Sequence, residues 1–184
     1  MPPPRPASLK VRALQWLSQR EHSRAELRDK LLRLLASTRR DDDIAQPQAA
    51  ASADAAAAAM ADPETEVDTL LAWLEQRGYL SDARFVQVRV QARQSRYGNQ
   101  RLRQELRQRG VAIDPATEAE LAGSEFARAC AVWQRRYDAP ATDAAGRLRQ
   151  MRFLVGRGFS MDVVQRVLRQ AAEGGMPAPD AGTD

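Results

Sequence analysis

The sequence predicts an all-α protein: three tandem three-helix repeats forming an elongated, curved array. Three observations predict it. Large apolar residues recur at i, i+3, i+4 and i+7 through most of the chain. Helix-start residues (Ser, or Asp followed by Pro) alternate with helix-stopping glycines. The pattern also repeats about every 45 residues once segment 36–62 is set aside, the period of stacked helical units. Val86, Val88 and Val90 alternate as in a strand, but the surrounding Arg, Gln and Ala and the length of the segment favour helix.

The first repeat is predicted over 8–78. Ser8 caps a helix with Leu9, Ala13, Trp16 and Leu17 on one face. Ser23-Arg-Ala-Glu26 is a capping box opening a second helix with Leu27, Leu31, Leu34 and Leu35. Residues 36–62 read as an inserted surface loop: Arg39-Arg40-Asp41-Asp42-Asp43, then an Ala-rich run with few large apolar groups and local helix at most over 55–59. The three aspartates read as a solvated charge run, not a cation site. Asp62-Pro63 starts the third helix, and Gly78 ends it.

The second repeat is predicted over 81–122. One helix runs from Ser81 through Tyr97, with Phe85, Val88 and Ala92 as an apolar line. A second runs from Gly98-Asn99 through Arg109, with Leu102 and Leu106. A short third starts at Asp114-Pro115 and ends near Gly123. The third repeat, 124–173, has helices starting at Ser124, Thr142 and Ser160. Gln76-Arg77-Gly78-Tyr79, Gln108-Arg109-Gly110-Val111 and Gly156-Arg157-Gly158-Phe159 are related in sequence, each with a residue after the glycine suited to close the helix end. Residues 1–7 and 174–184 read as disordered tails.

Composition narrows the chemistry. Cys130 is the only cysteine and His22 the only histidine, so an intramolecular disulfide is impossible and a Cys/His zinc site nearly so. Cys130 reads as a core residue and His22 as an exposed linker residue. Trp16, Trp73 and Trp133 lie in apolar stripes and read as core. The opening MPPPRP has no apolar run and no segment matches a membrane span, which gives the expectation of a soluble, cytoplasmic protein with no membrane partner. There is no phosphate-binding glycine loop and no set of residues for nucleophilic or paired acid-base chemistry. No enzyme, cofactor or metal is expected.

Charge is the functional signal. From Arg84 to Arg109 eight arginines face one acid, Glu105, an excess larger than the +4 of the whole chain. So strong a local field favours polyanions or acidic protein surfaces, and arginine is the residue for forked contacts to phosphate or carboxylate. Arg89, Arg93 and Arg96 fall on one stripe of a helical wheel, between Phe85, Val88 and Ala92 on one side and Val86, Val90 and Tyr97 on the other. Arg103 and Arg107 repeat the spacing on the next helix. Arg135, Arg136, Arg147, Arg149 and Arg152 extend the basic surface into the third repeat.

GYLSDARF (78–85), the Arg-rich helix after it, and YGNQRLRQELRQRGV (97–111) together resemble the RecX regulatory proteins of bacteria. SRAEL (23–27) and FLVGRGFSMDVVQRVL (153–168) look like that family's first and last repeats, and 36–62 looks like an insertion. The resemblance implies a non-enzymatic regulator that binds the RecA–single-stranded-DNA filament and suppresses its ATPase, strand-exchange and coprotease activities. It implies RecA and single-stranded DNA, directly or through the filament, as partners; a monomer is expected. It also places the family's central basic surface on Arg84, Arg89, Arg93, Arg96, Arg101, Arg103 and Arg107. The alternative is a stand-alone nucleic-acid binder that uses the three-helix units as helix-turn-helix modules.

Overall fold

The structure, a computed structural model, describes residues 8–45 and 62–176. Residues 1–7, the helix expected over 55–59 and the end of the C-terminal tail lie outside the described residues. The described residues hold eight helices and no strand. They are α1 (Leu9–Gln19), α2 (Arg24–Ala45), α3 (Pro63–Gln76), α4 (Asp82–Arg93), α5 (Asn99–Gln108), α6 (Pro115–Gln134), α7 (Ala144–Gly156) and α8 (Met161–Ala172). The chain divides after Phe85 into two compact units.

In the first unit α2 packs on α1 and α3. Ala13, Leu27, Leu31, Val67, Leu71, Leu74 and Leu80 form its core, with Trp16 and Trp73 packed at the edge. Ser8, Ser23 and Asp62 cap the three helices, accepting from the N–H groups of Val11, Glu26 and Thr65. Two expectations need correction here. α2 does not stop at Leu35 but runs to Ala45, with the Ser37 and Thr38 hydroxyls turned back onto the Leu34 carbonyl inside the helix. His22 is not an exposed linker residue; it is 1% exposed.

In the second unit α6, α7 and α8 pack pairwise, and α5 packs on α6. The core joins Ala129, Cys130, Val132, Trp133, Leu154, Phe159, Val164, Val167 and Ala171. Burial raises the Cys130 pKa, as expected for a core thiol. Met176, assigned from sequence to the tail, packs against this cluster.

Two predicted helices are one. α6 runs unbroken through Gly123-Ser124, where the Ser124 hydroxyl donates to the Glu120 carbonyl (2.8 Å) instead of capping a new helix. α7 is capped by Asp143, which accepts from the Gly146 N–H at 2.7 Å, and not by Thr142.

The three related Arg-Gly segments share one cause. Gly78, Gly110 and Gly158 all have positive φ. The residue after each glycine (Tyr79, Val111, Phe159) donates its N–H to a leucine carbonyl five residues back, which is the Schellman helix end. The closing side chain is buried at Val111 and Phe159. Tyr79 is half exposed and stacks on Trp73, leaving Leu80 to fill the core.

A candidate basic groove

Ser81 opens α4, accepting from the Arg84 N–H at 3.3 Å. The helix ends at Arg93, short of Tyr97. Its buried face is Phe85, Val86 and Val90; Val88 is 56% exposed and Ala92 is also exposed, against the apolar line expected for them. Arg89 and Arg93 therefore lie toward α5, where they meet the one acid of the window. Arg93 Nη2 is 2.5 Å from Glu105 Oε1, and Arg89 Nη2 is 3.6 Å from Glu105 Oε2. Arg101, one turn before Glu105, is 3.7 Å from Oε1. The Glu105 hydrogen bond raises the Arg93 pKa. This cluster remains net positive, but its guanidinium forks converge on an internal carboxylate.

Two more predicted arginines are similarly engaged. Arg103 binds Glu118 through Nε and Nη2, which raises the Arg103 pKa and lowers that of Glu118. Arg84 belongs to the first unit, where its Nε lies 3.0 Å from Glu21 and its Nη2 donates to the Tyr79 carbonyl.

The turn after α4 is organised by arginines of the third repeat. A helix end leaves carbonyls without partners, and here side chains supply them. Arg128 Nη1 donates to the carbonyls of Gln94 (3.0 Å) and Tyr97 (2.9 Å). Arg135 Nη1 reaches the Ser95 carbonyl at 3.4 Å, and Arg157 Nη1 the Arg96 carbonyl at 3.5 Å.

Arg128 Nη2 also holds Asn99 Oδ1 and the Leu121 carbonyl, and burial lowers its pKa. Buried Glu125 accepts the Asn99 N–H at 3.0 Å and the Ser160 hydroxyl at 3.4 Å. The Gly98 N–H donates to the Arg157 carbonyl and the Gln100 N–H to the Gly158 carbonyl, both at 3.0 Å. The start of α5 thus closes the end of α7. A side chain at Gly98 would place its Cβ 2.3 Å from the Gly158 carbonyl oxygen, so this approach requires glycine.

This junction encloses an open groove of about 670 Å³ lined by Ser95, Arg96, Val132, Arg135, Arg136, Phe153 and Arg157. Four arginines line it and no acid does. Arg157 lies over the Phe153 ring (5.2 Å to the centroid) and faces Tyr97 (5.8 Å). Arg93 and Arg101 also lie against Tyr97, each at 4.7 Å, so the Glu105 cluster and the groove share this ring.

Of the arginines singled out from sequence, the structure brings Arg96, Arg135 and Arg136 into the groove and gathers Arg89, Arg93 and Arg101 at Glu105. Arg107, on α5, and Arg149 and Arg152, on α7, are exposed and line neither. Sequence reasoning missed Arg157 and Arg128. Arg157 had a signal, since it precedes a glycine that repeats the Gly78 and Gly110 pattern. Among the described residues no group of acids, histidine and cysteine could hold a metal ion, and no helix is long and apolar enough to cross a membrane.

Within the second unit two three-helix repeats join at this basic groove, the architecture of a helical-repeat protein. Residues 81–119 match the family model of the RecX second three-helix domain, and residues 124–168 that of the third. The chain is 44% identical to a regulatory protein RecX of Ralstonia nicotianae over 92% of this chain and 91% of the relative. It is 41% identical to that of Ralstonia pickettii over 94% of each. The crystal structure of RecX from Lactobacillus salivarius shares the fold, with a TM-score of 0.60 at 17% identity over 90% of this chain and 95% of that one. The chain belongs to the RecX family of regulatory proteins.

Proposed function

We propose that this chain is a non-enzymatic negative regulator of the RecA recombinase. It binds the RecA–single-stranded-DNA filament in the cytoplasm and inhibits ATP hydrolysis, strand exchange and coprotease activity. The observation that carries this reading is the likeness to RecX proteins over nine-tenths of the chain. The basic second and third repeats suit such a partner, because a nucleoprotein filament offers both phosphate and acidic protein surface.

The helix-turn-helix alternative fits less well. The helices that would enter a DNA groove are α6 and α8, each following the tight turn of its repeat. Asp114 caps α6 and Glu118 lies in its first turn, and Asp162 lies in the first turn of α8, acids at the end a recognition helix presents to bases and phosphates.

The test is RecA ATPase on single-stranded DNA with this protein titrated in. Inhibition at amounts well below those needed to coat the DNA is expected. Undiminished ATPase at equimolar protein overturns the reading.

A further inference from the structure

Among the described residues one serine hydroxyl is left without a hydrogen bond, and it lies among the groove's arginines. Ser8, Ser23 and Ser81 accept from helix-start N–H groups. Ser18, Ser37 and Ser124 donate to carbonyls one turn back, and Ser160 donates to Glu125. Ser95 is exposed in the turn after α4 and lines the groove with Arg96, Arg135, Arg136 and Arg157. Two of these guanidiniums are already at this residue. Arg135 Nη1 donates to the carbonyl of Ser95 itself, and Arg157 Nη1 to that of Arg96. A guanidinium has five N–H donors in a rigid fork, so each keeps most of its donors for another acceptor. An anion at the end of a helix ordinarily meets the negative end of the helix dipole. Here the carbonyls of Gln94, Ser95, Arg96 and Tyr97 are each bonded to a guanidinium and no acid lines the groove, so the field at Ser95 is positive.

We propose that Ser95 is a phosphorylation site and that its phosphate is held by the arginines around it. A protein serine kinase transfers the γ-phosphoryl group of a nucleoside triphosphate to Ser95 Oγ. The Oγ–P bond forms and the bond from the γ-phosphorus to the bridging oxygen breaks. The hydroxyl proton passes to a base of the kinase, and nucleoside diphosphate leaves. Arg93 and Arg96 flank the serine closely in the chain, which suits a kinase with an acidic substrate cleft. The product carries about −2 charge and three acceptor oxygens, matched by the forks of Arg135 and Arg157 and by the exposed Arg96 and Arg136. It cancels about half the charge of the four arginines, and the groove then holds an internal anion as the Glu105 cluster does. The inference rests on the regulator reading only for its consequence, that the phosphorylated form inhibits RecA less.

The test begins with full-length wild type and its Ser95→Ala and Ser18→Ala variants, each incubated with γ-labelled ATP and an extract of the bacterium that makes the protein. Label is expected on wild type and Ser18→Ala and should be lost from Ser95→Ala, which removes a hydroxyl without a partner in the fold. No label on wild type, or equal label on Ser95→Ala, overturns the proposal. Phosphoserine is then encoded at position 95 and followed by phosphorus NMR against pH. The second phosphate pKa, near ~6 when free, should fall by about one pH unit. The Arg96→Ala/Arg136→Ala variant, which removes two exposed side chains, should return most of that shift and keep its thermal midpoint. A phosphate that titrates as in free solution overturns the proposal. The RecA ATPase separates the two readings. Unmodified protein that leaves the ATPase untouched refutes the regulator and keeps the site. Phosphorylated protein that inhibits as strongly as the unmodified form refutes the consequence drawn from the site.

Discussion

The Glu105 cluster and the groove are neighbouring concentrations of arginine that share the Tyr97 ring, yet they are in opposite states. Around Glu105, Arg89, Arg93 and Arg101 surround a carboxylate that is only 17% exposed. In the groove, four guanidiniums line a cavity without an acid. Two of them are held by carbonyls, which fix direction without cancelling charge. A formal count of arginines treats the regions alike. What differs is whether the fold supplies the counter-anion, and that decides which region has charge left for a partner.

The most forceful way to break the comparison is to remove what builds the groove. Arg128→Ala deletes the donor to the Gln94, Tyr97 and Leu121 carbonyls and to Asn99, and leaves Glu125 without its nearby cation. The expected loss is about 3 kcal/mol, as for breaking a largely buried polar pair. Urea unfolding measures it. Arg128→Lys keeps the charge but not the fork, and should recover only part of the loss. Gly98→Ala attacks the same junction through sterics, forcing apart the α5 start and the α7 end for about 1–3 kcal/mol. A Gly98→Ala protein as stable as wild type would show that this approach is not constrained.

Converting one region into the other sharpens the comparison. Glu105→Gln removes the internal anion and frees Arg89, Arg93 and Arg101. Stability should fall by about 1–2 kcal/mol, since Glu105 is mostly buried and its partners are about one-third exposed or more. Affinity for oligothymidylate should rise severalfold, with a steeper salt dependence, because unmatched guanidiniums become available. Anisotropy at two salt concentrations decides it. Unchanged affinity would mean that the carboxylate does not limit the cluster, and the contrast with the groove would lose its meaning.

Local signals in the sequence were strong enough to place most helices. Asp62-Pro63 and Asp114-Pro115 both cap helices as read, and three glycines end them through one hydrogen-bond pattern. Two misread helix bounds, at Leu35 and at Ser124, share a feature: a hydroxyl with two possible partners. Ser124 suits a cap, but it bonds backward inside a helix that Phe126 and Cys130 continue to pack. The candidate site was half legible. The i,i+4 spacing of Arg101 and Glu105 is visible in the chain, whereas the reach of Arg89 and Arg93 to that acid depends on how α4 crosses α5. Arg157 becomes part of a site only because Gly158 brings the end of α7 against Gly98. The long-range juxtaposition that turns a basic segment into a groove has no periodicity to read.

The smallest expected effect concerns a third way of managing positive charge, in the first unit. His22 is buried, with Nδ1 3.4 Å from Glu26 Oε2 and no hydrogen bond at that nitrogen. Glu26 is already engaged by Arg20 at 2.5 and 3.2 Å. Burial lowers the His22 pKa, as do Arg20 and Lys30, against the pull of Glu26. The fold therefore holds the neutral ring, while an unfolded histidine gains its proton near pH ~6.5. The contribution is complete above that value and is lost as the pH falls toward the lower folded value, by at most about 1.4 kcal/mol per pH unit. Urea midpoints of wild type at pH 7.5 and 5.5 should show this decline, and His22→Gln should flatten it. A wild-type midpoint that rises on acidification would mean that Glu26 outweighs burial and the ring is protonated in the fold. His22 would then belong with the arginines around Glu105, as another cation matched by an internal acid.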